Sequence, residues 1–175
     1  MATARFNYTS YDAQRMQDVV NPLSHPDVMV LSHEDDTSGA PHPYWYARVV
    51  GIFYVFVRFR IPGSSALTEP QRFNILWVHW FGLDSVGSSG WAARHLHMLG
   101  FLLSDDSSGP AFGFIDPTEV IHRVHLIPTS AYGVTQDFLG PERSVAHQHP
   151  ELGSQDYVAY YLGMYITFSF DEVAY

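Results

Sequence analysis

The chain has 175 residues, 46% of them hydrophobic and 15% aromatic, which is enough apolar side chain for one domain with its own core. It has no cysteine, which excludes disulfides, thiolate catalysis and cysteine zinc fingers. It has no lysine either, so nine arginines face eighteen carboxylates and the formal charge is -9. Nucleic-acid binding needs a clustered basic surface, whereas Arg48, Arg58, Arg60, Arg72, Arg94, Arg123 and Arg143 are spread among acids. An acidic surface suits a basic partner instead. The first residues lack a basic segment followed by an apolar core, and no apolar run reaches the roughly 20 residues of a spanning helix, so an intracellular protein without membrane contact is expected.

In chain order, Thr9 and Ser10 are positioned to cap a short helix over residues 11–20, ended by Asn21-Pro22 because proline disfavours helix in the residue before it. Residues 1–24 thus read as a helical or extended segment ahead of a domain over residues 25–175. Residues 27–31 read as a first strand, and Glu34-Asp35-Asp36 as an exposed acidic loop. In the strand over 44–53, Trp45, Ala47, Val49, Gly51 and Phe53 are expected to face the core, with Tyr44, Tyr46, Arg48, Val50 and Ile52 opposite. The alternation continues through Val55, Val57 and Phe59, with Arg58 and Arg60 outward, until Pro62-Gly63 breaks it.

Residues 75–81 carry apolar groups on both faces, as a central strand does. Residues 111–115 and 124–128 read as strands on either side of a turn capped by Asp116 with Pro117 at its first position. Residues 131–153 are loop-like, and the aromatic stretch 157–170 is expected to close the sheet. The elements together predict a mainly β, single, small barrel-like domain with one or two short helices.

Many separate motifs, in order, carry a resemblance over nearly the full length. They include Asn7-Tyr8-Thr9-Ser10-Tyr11-Asp12, His25-Pro26-Asp27-Val28-Met29-Val30-Leu31, the runs His42 to Phe53 and Leu76-Trp77-Val78-His79-Trp80-Phe81-Gly82, Arg94-His95-Leu96-His97, and Phe112-Gly113-Phe114-Ile115-Asp116-Pro117. In these the chain resembles an uncharacterised family of basidiomycete fungal proteins associated with Plavaka-type DNA transposons, a resemblance that implies no known activity. The order of Asp27-Val28-Met29-Val30, Tyr46-Ala47-Arg48-Val49, Val78-His79-Trp80-Phe81, Asp116-Pro117-Thr118-Glu119-Val120-Ile121 and Leu126-Ile127-Pro128 also resembles the bromo-adjacent homology (BAH) domain, a chromatin-associated β-barrel module. That resemblance implies a nuclear, non-enzymatic interaction module for a basic peptide such as a histone tail, with methylated lysine held in an aromatic cage. By motif position the implied cage residues are Trp80, Tyr44 or Tyr46, Phe112 and Phe114.

Two other chemistries compete. His95 and His97 lie two apart, as do His147 and His149, and in a strand such a pair points to one side and chelates a metal. The cupin-like pattern places a glutamate soon after the second histidine, and none follows His97 before Asp105. A small metal-dependent enzyme on the His95–His97 pair is therefore the alternative class, and a transposon remnant without selected activity a third. Ser85, Ser104 and Ser107 lack the Gly-x-Ser-x-Gly elbow, and the Gly87-Ser88-Ser89-Gly90 loop lacks the lysine of a phosphate-binding loop. No cofactor is expected.

Overall fold

Branched and aromatic side chains fill residues 44–57 and 71–83, and a pleated strand accommodates such side chains better than a helix does. They form the two longest strands of the computed structural model, which describes residues 3–9, 15–32, 43–63, 65–83, 96–103, 110–139, 146–147 and 149–163. In chain order the strands are β1 (Ala4–Thr9), β2 (Arg15–Val20), β3 (Asp27–Leu31), β4 (Tyr44–Val57), β5 (Gln71–Leu83), β6 (Met98–Phe101), β7 (Phe112–Ile115), β8 (Val120–Arg123), β9 (His125–Pro128), β10 (Val134–Thr135), β11 (Asp156–Tyr157) and β12 (Tyr160–Gly163). The described protein is mainly β, with 3-10 turns at Pro117–Glu119, Ser130–Tyr132 and Pro150–Leu152. Asp116 caps the first turn as expected, accepting from the Thr118 N–H at 2.8 Å, with Pro117 next to it.

Eight strands form one antiparallel sheet in the order β8-β3-β4-β5-β6-β12-β9, with β7 on β5. The end strands β8 and β9 are consecutive in the chain, with Val124 alone between them. Six lateral steps would place the edges of a flat sheet about 30 Å apart, yet one intervening residue spans only about 7 Å. The sheet must therefore curl until its two ends meet. The expected mainly β fold is found, but its barrel-like form goes no further than this curl: among the described residues the hydrogen-bonded path stays open, because β8 and β9 follow one another along the chain instead of pairing.

The predicted helix over 11–20 is also corrected. Residues 15–20 are β2, paired with β1 from Ala4↔Val20 to Thr9↔Arg15, and residues 10–14 lie outside the described residues. Tertiary packing overrides the local helix signal here. Val20 is fully buried with Val28, Val30, Ala47, Val49, Leu76 and Val78, and Ala4 and Phe6 pack against the same cluster. The β1–β2 hairpin thereby covers the outer face of the sheet, where Asp18 Oδ2 accepts from the Arg123 N–H at 3.0 Å.

The inner face gathers Tyr46, Phe81, Leu99, Phe101, Leu126, Tyr160 and Leu162 from β4, β5, β6, β9 and β12. A register shift between Val49 and Gly51 breaks the expected alternation of β4. Before it, Trp45, Ala47 and Val49 face outward with Val78; after it, Gly51 and Phe53 lie on the side of Trp77 and His79. Leu76→Ala is expected to lower unfolding stability by about 2–5 kcal/mol, and Leu67→Ala, 52% exposed on the same hairpin, by under about 0.5 kcal/mol. Urea denaturation of the two variants checks the contrast.

Candidate functional site

Pairing register builds a row of polar and aromatic side chains straight across the inner face. Asp27 on β3 lies opposite Arg48 on β4, Arg48 opposite His79 on β5, and His79 opposite Phe112 on β7. Arg48, expected on the side away from the core, is 3% exposed. Its Nε donates to Asp27 Oδ1 at 2.8 Å, its Nη2 to Asp27 Oδ2 at 3.3 Å, and its Nη1 to the Tyr160 hydroxyl at 3.1 Å. The Tyr160 hydroxyl donates in turn to Asp156 Oδ1, which also accepts from the Tyr157 N–H. Asp156 Oδ2 stands 3.6 Å from Arg48 Nη1 and has no hydrogen-bond partner. The rings of Tyr160, Phe101 and Phe81 surround the guanidinium, 4.7, 5.0 and 5.4 Å from their centroids.

Burial alone would lower the Arg48 pKa, but Asp27, Tyr160 and Asp156 outweigh it and hold the guanidinium charged. Burial raises the Tyr160 phenol, with the Asp156 carboxylate adding to the rise and Arg48 opposing it, so the hydroxyl stays protonated and donates. His79 is stacked between Phe101 at 4.2 Å and Phe112 at 4.3 Å. Its Nε2 lies 3.2 Å from the Leu102 carbonyl, which makes Nε2–H the donor of a neutral ring. Burial pushes its pKa down to about 4, the bond to Leu102 opposes this, and the Arg48 charge adds to it. The network is thus inward-facing and charge-paired. It locks strands together. A polar cleft of about 300 Å³ opens above Asp27, Arg48 and Tyr160, walled by His25, His125 and His149.

The sequence-predicted binding residues are not brought together. Tyr46 is buried among the inner cluster and its phenol is pushed up to about 12 by burial and by Tyr44. Tyr44 packs half-buried against that cluster, and Phe112 lies half-buried on His79. Trp80 sits on the opposite face, cross-strand from Ala47 and edge-on to Trp45 at 5.8 Å. There it leaves no room for a side chain at Gly113, whose Cβ would come 2.6 Å from the indole nitrogen. Phe114 is 73% exposed beside Trp77. His97 is half-buried ahead of β6, while His95 lies outside the described residues, as do the 33–42 acidic loop, Asp84 to Gly90 and Ser104 to Gly109. Among the described residues no three His, Asp or Glu side chains gather as a metal site.

An exposed apolar surface lies elsewhere among the described residues. β3 pairs β4 only over Tyr44–Arg48, and β7 pairs β5 only over Leu76–His79, yet β4 and β5 continue together to Val57↔Gln71 and an Arg60↔Leu67 bridge. Beyond the body the hairpin is a two-stranded arm, about 30 Å long at the usual rise per strand residue. One face carries Phe53, Val55 and Phe73, with Phe59 edge-on to Phe73 at 5.8 Å. The other carries Tyr54 and Phe56, with the Arg72 guanidinium 4.4 Å from the Tyr54 centroid. Phe53, Tyr54, Phe56, Phe59 and Phe73 are 39–65% exposed. The expectation that Phe53, Val55 and Phe59 face a core is corrected: no described element covers either face. The sequence signal for this arm, apolar residues at both parities, is the same as that of a doubly buried strand.

These features define a mainly β, antiparallel protein with a curled body and a projecting aromatic hairpin. No protein-family model, curated protein or solved structure matches the chain. No helix among the described residues is long and apolar enough to cross a membrane.

Two outcomes are expected for the buried network. Arg48→Met leaves two buried carboxylates without their cation and lowers stability by about 3–5 kcal/mol, measured by chemical denaturation. His79 titrates near 6.5 when unfolded and near 4 when folded, so the unfolded chain binds the extra proton between those values. Stability is then flat above pH 6.5 and falls as pH drops towards 4, by on the order of 3 kcal/mol in total for this group. In His79→Phe that part of the slope disappears from urea midpoints recorded across the range.

Proposed function

We propose that this chain is a non-enzymatic protein-interaction module that docks its partner on the aromatic arm. One observation carries the reading: a hairpin with aromatic side chains on both faces continues past the body with nothing described against it. Contiguous exposed apolar surface of this size marks interaction sites, and a two-stranded hairpin alone in water is at best marginally stable. The resemblance of the motif order to a bromo-adjacent homology module supports the same class. The basic-peptide partner drawn from the net charge of -9 fits the arm less well, because Arg58, Arg60 and Arg72 face one acid, Glu69, within residues 50–75.

Photo-crosslinking in cells tests the reading. With p-benzoyl-phenylalanine replacing Phe56 or Phe73, irradiation is expected to yield covalent adducts to a polypeptide, whereas the same label at the exposed body residue Tyr132 yields none. Arm labels that capture nothing, or no more than the Tyr132 label, would overturn it.

A further inference from the structure

We propose that the occupant of the arm is a second copy of this chain, in a two-fold dimer whose arms lie antiparallel, tip against base; this rests on the interaction reading above. Charge favours this occupant. Three arginines and one glutamate give residues 50–75 a charge of +2, so the rest of the chain carries -11 of the total -9. A basic aromatic arm and an acidic body in one molecule are complementary between copies.

The two signs lie at opposite ends of the arm. Arg58 and Arg60 sit near the tip of the arm. At its base β7 ends on Ile115, opposite Leu76, and the exposed carboxylates Asp116 and Glu119 follow directly, beside the 73% exposed Phe114. Phe114 pairs with Trp77, on the same face as Phe53, Val55 and Phe73. An antiparallel, face-to-face arrangement therefore sets each basic tip on the partner's acidic base and each apolar arm face on its mate. A parallel arrangement would put arginines on arginines. The contact is isologous and closes after two copies.

The exposed area is large enough for such a contact. On the docking face Phe53, Val55, Phe59, Phe73 and Phe114 are 39–73% exposed. At roughly 200 Å² for a large apolar side chain they offer on the order of 500 Å² per partner. The two copies together then bury about 1,000 Å² of apolar surface, the size at which specific association begins.

Analytical ultracentrifugation of the full chain at micromolar concentration tests the proposal. The wild type is expected to sediment as a dimer that weakens with salt. Phe53→Ser/Phe73→Ser should be monomeric with unchanged circular dichroism. Arg58→Glu/Arg60→Glu should weaken the dimer by about tenfold or more, and adding Glu119→Arg to that variant should restore it. A wild-type monomer, a dimer indifferent to the arm variants, or a charge reversal that Glu119→Arg does not rescue overturns the proposal. A monomer whose arm still crosslinks a different polypeptide in cells overturns self-association alone; a monomer without arm crosslinks overturns both readings.

Discussion

A guanidinium taken out of water has to be surrounded by acceptors and rings or the fold that buries it fails. The curled sheet is arranged around that demand. Arg48 reaches from the middle of β4 to Asp27 on β3, to Tyr160 on β12 and towards Asp156 on β11, with rings from β5, β6 and β12 about it. Only a long side chain with several donors spans those elements at once. Desolvating an ion is costly, and the attraction of two carboxylates offsets it only while the geometry holds. The network therefore serves less as a source of net stability than as a selector of one curl and one register, since a one-residue slip of β4 would turn Arg48 to the Val78 face.

The same two strands that hold this clamp also leave the body. Within the sheet, β4 and β5 are packed on both faces; a few residues on, past the bulge at Val49–Gly51, no described element covers either face. The bulge is the hinge of that contrast. It turns Phe53 onto the side of Trp77, so one aromatic strip runs from the His79 stack through Trp77 to the arm, with Phe114 beside it. Body and arm thus have different reasons to exist. The body is held together by charge pairing and apolar burial, whereas the arm has apolar area in excess of what its own fold uses.

Much of the body was legible in the sequence. Turn residues, β-branched runs and the Asp116-Pro117 cap marked β3, β5, β7 and β9, because each signal is local. Three features were not. The strand β2 depends on pairing with β1 and on Val20 reaching the outer cluster, which no window of sequence contains. The burial of Arg48 depends on Asp27 and Asp156, far along the chain, although one charge inside a fourteen-residue apolar strand was a hint. The exposure of the arm was hidden because two-sided apolarity reads alike whether the cover is the same chain or another molecule. As for the site, the aromatic motif positions pointed to the right strands, but alternation put Trp80 on one face and Tyr46 on the other, and only Phe114 of that set joins the exposed strip.

Amide hydrogen exchange, resolved along the chain at a low and a high protein concentration, tests most directly the claim that a packed, curled body carries an arm covered by another copy. The account predicts that amides of residues 76–81 exchange slowly and equally at both concentrations, while those of residues 53–57 and 71–75 exchange fast in dilute protein and slow markedly in concentrated protein. Arm amides that exchange at one rate regardless of concentration, or body amides as labile as those of the arm, would contradict it.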